Sequence, residues 1–119
     1  MASHNELGKE GEQRACVFLE ELGYTIVEKN WRYKNAEIDI IALFEKTLVI
    51  VEVKTRSSLS FGLPQDFVNK KKIKLLLQAT NAYVDSFNRM EEVRFDIIAV
   101  HQNGSVWEID HLKDAFYHF

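Results

Sequence analysis

Residues 48–54 read Leu-Val-Ile-Val-Glu-Val-Lys, an apolar β-strand pattern that carries two charged side chains. A continuous aliphatic run of this length is typical of a strand in the centre of a sheet. Side chains alternate across a strand, so Glu52 and Lys54 share a face with Leu48 and Ile50. Charged groups in such a buried setting require partners. The sequence therefore directs attention to what surrounds Glu52 and Lys54.

The segment that precedes this strand, residues 36–43, is predicted to form a hairpin with it. If the four-residue turn between them is symmetrical, the numbers of paired residues sum to 91. Asp39 then lies opposite Glu52, and Glu37 lies opposite Lys54. Directly opposed Cβ atoms are about 4.5–5.5 Å apart. We therefore predict that Asp39 and Glu52 are cross-strand neighbours on one face of the sheet.

The rest of the chain alternates between helical and strand patterns. The predicted order is α-β-β-β-α-β-β-α, with three strands before the second helix in an antiparallel meander. The strand–helix–strand segment over 48–100 is long enough for a parallel crossover. This order predicts an α/β fold with a mixed central sheet and helices on both faces. The predicted elements are helices at 5–22, 66–87 and 112–117, strands at 24–33, 36–43, 48–54, 94–101 and 105–109, and a loop at 55–65.

The composition fits one domain over residues 1–119, with 46% apolar and 28% charged residues. The net charge of −3 argues against general binding of polyanions, but residues 54–74 contain six basic residues and one acid. Such a local surface steers a polyanion, and a solvated helix face is the alternative. A lone cysteine, Cys16, and the lack of an apolar run long enough to span a bilayer predict a cytoplasmic protein without a membrane segment.

The predicted hairpin gathers more negative than positive charge. Glu37, Asp39 and Glu52 face a single base, Lys54. Two ionised carboxylates at ~5 Å repel by roughly 3 kcal/mol at an effective dielectric near 20. A divalent ion that prefers oxygen ligands, such as Mg²⁺, would supply the missing positive charge, and a shared proton would also relieve the repulsion. The alternative is a cross-strand salt bridge between Glu37 and Lys54 on a wet sheet face.

Each long helix carries one charged residue on an otherwise apolar face. Glu12 lies on the inward line of the first helix with Ala15 and Leu19, where it is either a further metal ligand or a helix-edge residue that reaches solvent. Lys72 interrupts the apolar side of the second helix between Val68 and Leu76. It either extends out of the edge of the core or faces the acidic cluster and holds a phosphate.

These residues resemble a known signature. An acid, Asp39, followed by Glu52-Val53-Lys54 resembles the PD-(D/E)XK nuclease motif. A longer pattern resembles the bacterial YraN family of small endonuclease-like proteins, which are similar to archaeal Holliday-junction resolvases. The resemblance implies a restriction-endonuclease-like fold. It covers segments 8–12, 36–42, 51–56, 61–64, 94–96 and 115–116, together with Val68 and Lys72.

The resemblance also implies a function and an active site. It implies metal-dependent hydrolysis of DNA phosphodiester bonds, on branched or single-stranded substrates, with Mg²⁺ or Mn²⁺ as the cofactor. Asp39 and Glu52 would bind the metal, with Glu12 as an added ligand. Lys54 would complete the catalytic set by orienting the attacking water or stabilising charge on the phosphate.

Nucleic acid is the partner that this interpretation implies. Arg56 and Lys72 would hold the phosphate backbone of DNA, and a homodimer would supply two sites for two cuts. Two other functions stay open at this point. A non-catalytic nucleic-acid-binding module would keep the fold without metal dependence, and an interaction domain would use the acidic cluster only as an ion-pair network.

Overall fold

The computed structural model describes residues 4–57 and 69–116, which form two helices and a five-stranded sheet. This is the mixed α/β architecture that the sequence predicts. In chain order the elements are α1 (His4–Glu21), β1 (Thr25–Tyr33), β2 (Ala36–Phe44), β3 (Thr47–Ser57), α2 (Lys70–Ser86), β4 (Glu92–Asn103) and β5 (Val106–Leu112).

The strands lie in the sheet in the order in which they occur along the chain, β1-β2-β3-β4-β5. The first three form the predicted antiparallel meander, and β3 pairs with β4 in parallel. The connection between these two strands contains α2, as a parallel crossover requires. The apolar strand β3 therefore lies in the centre of the sheet, with every residue from Leu48 to Val53 buried.

The two helices cover opposite faces of the sheet. Ala15 and Leu19 of α1 pack with the side chains of one face, and Leu76 and Tyr83 of α2 pack with those of the other. Residues on β3 alternate between these clusters, so Leu48 and Ile50 face α2 whereas Val49, Val51 and Val53 face α1. Among the described residues, neither helix has the length and apolar character needed to cross a membrane.

The β2–β3 hairpin has the predicted register. Its paired residues run from Phe44–Thr47 to Ile40–Val51, and in each pair the residue numbers sum to 91. The two-residue turn consists of Glu45 and Lys46, and Glu45 has a φ of 54°, in the left-handed region. Beyond Ile40–Val51 the backbone N–H of Val53 donates to Asp39 Oδ2 at 2.8 Å. A carboxylate side chain thus accepts the hydrogen bond from β3 at the point where this ladder ends.

Strand β3 is longer than the sequence predicts. Residues 55–57, which the sequence assigns to a loop, continue the strand because each of them pairs with β4 in the parallel ladder. Residues 58–65 of that loop and residues 66–68 of the predicted second helix lie outside the described residues. Helix α2 begins at Lys70 after Asn69, whose side-chain oxygen accepts the Lys72 N–H at 2.9 Å.

The prediction of a helix over 112–117 is wrong for residues 112–116, which the structure describes. Strand β5 continues to Leu112, and residues 113–116 form a turn and a bend. Tertiary contacts to β4 explain the difference. The N–H of Ala115 donates to the Phe95 carbonyl oxygen at 2.7 Å, and the ring of Phe116 stacks on that of Phe95. The apolar spacing of this segment therefore serves contacts with the sheet and not the face of a helix.

Candidate metal centre

Glu52 is a buried acid on the face of the sheet that α2 covers. Its exposure is 4%, on a strand whose neighbouring side chains are aliphatic. One carboxylate oxygen, Oε2, lies 2.6 Å from the Lys72 Nζ. The other, Oε1, is fully buried and has no hydrogen-bond partner among the described residues. A buried carboxylate oxygen without a partner carries a large desolvation cost, so a ligand at this position would stabilise it.

Asp39 lies beside Glu52 at the end of the hairpin ladder. The sequence predicts that the two are direct cross-strand partners, but the paired ladder stops one step earlier, at Ile40–Val51. Asp39 instead contacts β3 through the Val53 N–H. Burial raises the pKa of Asp39 to about 8, the negative charge of Glu52 adds to this, and the Val53 N–H offsets part of it. Burial and the charge of Glu52 therefore favour the protonated form of Asp39.

Three partly buried acids meet at this end of the sheet. Glu12, Glu37 and Asp39 each present one carboxylate oxygen, and these oxygens lie within 4.8 Å of one another. Oxygens on opposite sides of a six-coordinate Mg²⁺ are ~4.2 Å apart, since each bond is ~2.1 Å. The bound of 4.8 Å leaves room for an ion between these oxygens, and carboxylates are the ligands that hard divalent ions prefer. The three acids are therefore compatible with a divalent metal ion, and Glu52 lies outside this group of converging oxygens.

Close packing of α1 on β3 brings Glu12 to this cluster. Gly11 is buried, and a Cβ at this position would overlap Thr55 Oγ1 and lie 2.8 Å from both Thr55 Cβ and Cγ2. Only glycine lets the helix backbone approach the strand this closely. Glu12 follows directly and is partly buried, with Oε1 accepting from Asn30 Nδ2 at 2.9 Å. Glu12 therefore lies in the acidic cluster and is partly exposed, and its role as a metal ligand stays a prediction.

Asn30 is a residue of the site that the sequence analysis missed. Its side-chain amide also donates to Glu37 Oε1, at 3.4 Å, and its φ of 51° lies in the left-handed region. An Asn inside a strand is disfavoured by β propensity, and this was the available signal. The conformation itself depends on tertiary contacts that a sequence pattern does not reveal.

Glu37 does not pair with Lys54, so the alternative of a cross-strand salt bridge between them is wrong. Glu37 Oε2 binds Arg32 Nη2 at 2.9 Å instead. Lys54 is partly buried two residues after Glu52, and no carboxylate in residues 4–57 or 69–116 lies within ion-pair distance of it. Its ammonium group is therefore not neutralised by the described acids.

Lys72 faces the acidic cluster. Burial lowers its pKa, but the hydrogen bond to Glu52 and the charges of Glu52, Asp39 and Glu37 more than offset this, so its pKa lies above the usual value. A cavity of about 330 Å³ lies between parts of α2 and β2, and its lining includes Glu37, Asp39, Lys72 and Leu76. Lys72 is thus positioned between the acids and solvent, because its side chain is 44% exposed.

Arg56 lies four residues beyond Glu52 on β3. It is partly buried and pairs with His101 in the parallel ladder to β4. The structure therefore places it at the same end of β3 as Lys54. Its predicted contact with DNA stays a prediction.

Comparison with known proteins places the chain in a family. The model of the uncharacterised protein family UPF0102 matches residues 11–100. The chain belongs to the UPF0102 family. A UPF0102 protein of Flavobacterium johnsoniae is 59% identical, with both chains covered completely. A UPF0102 protein of Bacteroides thetaiotaomicron is 50% identical over 98% of this chain and 97% of that protein.

UPF0102 membership confirms the family resemblance found in the sequence. The matched range contains every acid and base of the candidate site: Glu12, Glu37, Asp39, Glu52, Lys54, Arg56 and Lys72. Among solved structures, the chain is similar to Hjc, a Holliday junction resolvase of Archaeoglobus fulgidus. The two share 16% sequence identity with a TM-score of 0.46, over 87% of this chain and 75% of the other.

Proposed function

We propose that this UPF0102 protein is a divalent-metal-dependent hydrolase of DNA phosphodiester bonds. The observation that carries the proposal is the buried Glu52 carboxylate, whose Oε1 has no partner among the described residues, beside three further acids with converging oxygens. A sheet interior that served only stability would not gain from this arrangement, because each buried charge lowers stability unless it is fully paired. The PD-(D/E)XK resemblance supplies the reaction class.

Asp39, Glu52 and Glu12 are the proposed ligands of Mg²⁺ or Mn²⁺. When bound, the ion supplies positive charge at the scissile phosphate and makes a water molecule more acidic. Asp39 gives up its proton on binding, since a cation favours the ionised carboxylate. Lys72 now neutralises one oxygen of Glu52, and a bound cation would take over that role. Its ammonium group is then available to a phosphate of the substrate.

Lys54 is the proposed catalytic lysine. It lies on the same strand as Glu52, two residues further on, so both side chains point to the same face. Its ammonium group donates hydrogen bonds to the attacking water and stabilises the negative charge that develops on the phosphate. The absence of a carboxylate partner among the described residues supports this role, because a salt bridge would reduce the charge that Lys54 offers.

The basic residues around the site support DNA as the substrate. Arg56 extends from the end of β3, and the N-terminal turn of α2 begins with Lys70, Lys71 and Lys72. The amino end of a helix carries a partial positive charge that adds to these side chains. Phosphate groups of a polyanion are attracted to such a surface even on a protein of net charge −3.

The test is incubation of the purified protein with duplex, flap, junction and single-stranded DNAs, in Mg²⁺, in Mn²⁺ and in chelator. We expect cleavage of at least one DNA that requires the metal and that Asp39→Asn abolishes. The control variant is Asp85→Asn, which makes the same change at an exposed position near the end of α2. It should cleave like the wild type.

Other outcomes would overturn the proposal. One such outcome is DNA binding that depends on salt but not on metal, with no cleavage of any substrate. This result identifies a non-catalytic nucleic-acid-binding module. The absence of both DNA binding and DNA cleavage is the result expected of an interaction domain. Cleavage that survives in Asp39→Asn shows that these carboxylates do not carry the reaction.

A further inference from the structure

Asn30 adopts an unusual conformation in the middle of strand β1. The residues on either side pair regularly with β2, as Lys29–Ile40 and Trp31–Ile38, yet φ of Asn30 is 51°. Left-handed backbone is unfavourable for residues other than glycine, and Asn is among those that tolerate it best. Asn30 is also exposed, so packing of its side chain does not explain why this conformation is kept.

The side-chain amide of Asn30 joins two acids from different elements. Its Nδ2 donates to Glu12 Oε1 on α1 at 2.9 Å and to Glu37 Oε1 on β2 at 3.4 Å. Both partners accept hydrogen bonds when ionised, so the atom that faces them is the amide nitrogen. Glycine would fit the backbone at this position but would provide no donor.

The amide has the chemistry required to hold carboxylates together for a cation. Glu12, Glu37 and Asp39 converge to within 4.8 Å and repel one another when ionised. A lysine at position 30 would relieve the repulsion by neutralising the acids, and it would compete with a metal. A neutral N–H donor fixes the carboxylates without neutralising them and leaves the second oxygen of Glu12 available. The second oxygen of Glu37 pairs with Arg32, whose side chain is 79% exposed, so a metal would have to compete with Arg32 for it.

A separate observation indicates that this cluster receives a ligand. Glu52 is 4% exposed, and its Oε1 has no partner in the described part of the chain. Its Oε2 contacts Lys72, which lines the same cavity as Glu37 and Asp39. Asp39 in turn accepts from the N–H of Val53, the residue next to Glu52. Glu52 therefore borders the acidic cluster through its contact with Lys72 and through its neighbour Val53.

We infer that Asn30 is a positioning residue that holds Glu12 and Glu37 in place as oxygen donors to the metal. This inference rests on the metal site of the proposed function. It adds Glu37 to the donor set and assigns the left-handed residue of β1 a role in metal affinity.

The test is Mn²⁺ binding to the DNA-free protein, measured by calorimetry. Asn30→Gly keeps the left-handed backbone and removes the amide, so we expect the dissociation constant for Mn²⁺ to rise about tenfold or more. The matched control is Asn88→Gly. Asn88 follows the end of α2, also has a φ of 51° and is exposed. Its substitution changes the backbone in the same way, and Mn²⁺ should bind as tightly as in the wild type.

The outcomes separate the inference from the proposed function. If the wild type and Asn30→Gly bind Mn²⁺ with equal dissociation constants, the role of Asn30 is overturned and the metal site is retained. Wild type that binds no Mn²⁺ would overturn the metal site and the inference with it.

A second variant covers the case in which Asn30→Gly does not fold. Asn30→Asp has the same shape and tolerates the same backbone, but it places a further negative charge against Glu12 and Glu37. We expect its melting temperature to fall in chelator and its Mn²⁺-induced rise in melting temperature to exceed that of the wild type. A rise equal to that of the wild type would overturn the inference.

Discussion

Asp39 connects the chemistry of the site to the stability of the protein. Its pKa of about 8 in the folded state lies far above the value of 3.8 for a free aspartate, mainly because the group is buried and secondarily because Glu52 is near. The folded protein therefore binds a proton that the unfolded chain has released between these two pH values. Stability from this group is complete below pH 3.8 and is lost as pH rises through about 8.

We predict that Asp39→Asn gains stability relative to the wild type as the pH increases from about 4 to 8. The substituted side chain cannot ionise, and its amide oxygen still accepts from the Val53 N–H. The difference should grow by at most about 1.4 kcal/mol per pH unit and level off above pH 8. Denaturant unfolding in chelator at a series of pH values measures it. The same series on Asp85→Asn corrects for the general effect of the substitution, and a difference independent of pH would contradict the raised pKa.

The acids of the candidate site could be proposed from the sequence, but not all of their partners could. Strand alternation and hairpin register place Asp39 and Glu52 at the same end of β2 and β3, and helical spacing places Glu12 on the inward side of α1. The direct pairing of Asp39 with Glu52 that the sequence predicts is not formed, because the ladder ends at Ile40–Val51. The partner of Glu52 could not be predicted either. Lys54 is its neighbour in sequence, whereas Lys72 reaches it from α2, and only the packing of that helix determines this contact.

At the scale of the element, substitutions of the two glycines of α1 should have opposite effects on stability. Gly8 has nothing within 4 Å of an added Cβ, whereas an added Cβ at Gly11 would overlap Thr55. Gly8→Ala should therefore stabilise the protein by about 0.5–1 kcal/mol, the ordinary gain in helix propensity. Gly11→Ala should destabilise it by about 1–3 kcal/mol, because α1 must move away from β3. Thermal and denaturant unfolding of the two variants measure both effects.

A double-mutant cycle identifies the cause of the Gly11 effect. Thr55→Gly removes the three atoms that lie nearest to the new methyl group. Combined with Gly11→Ala, it should cost less than the sum of the two single changes. Simple additivity would show that the contact between α1 and β3 is not what excludes a side chain at position 11.

Helices and strands could be predicted where the local spacing of apolar residues and the tertiary contacts favour the same structure. The β2–β3 register follows from the symmetry of the two strands about their turn, and α1 and α2 follow from apolar spacing. Residues 55–57 and 112–116 were misassigned because non-local contacts decide them. The parallel ladder to β4 extends β3, and contacts of Ala115 and Phe116 with Phe95 hold the last described residues against the sheet.

At the scale of the whole molecule, basic residues at one end of an acidic protein should determine how it binds DNA. Lys72 pairs with Glu52, so we predict that it contributes to DNA binding mainly when a bound metal ion competes for Glu52. In Mg²⁺, Lys72→Ala should reduce the slope of log affinity against log salt by about 0.9 on duplex DNA. In chelator the reduction should be smaller. Fluorescence anisotropy in a Lys54→Ala background, which keeps every carboxylate, measures the slopes without cleavage.

Lys46→Ala provides the control for this prediction. Lys46 is exposed in the β2–β3 turn, at the other end of the hairpin from the acidic cluster, and its removal lowers the net charge equally. It should leave the slope unchanged. Equal effects of the two variants would mean that net charge, and not a DNA contact at Lys72, determines affinity.

The irregular backbone of β1 has a consequence for association between molecules. Strand β1 is at an edge of the sheet, where free N–H and carbonyl groups can template the addition of a strand from another chain. A register shift between Ile26 and Glu28 and the left-handed Asn30 interrupt the regular spacing of those groups. Bulged edges pair poorly with a flat strand. Asn30, which contacts two acids of the candidate site, therefore also makes this edge a poorer template for another strand.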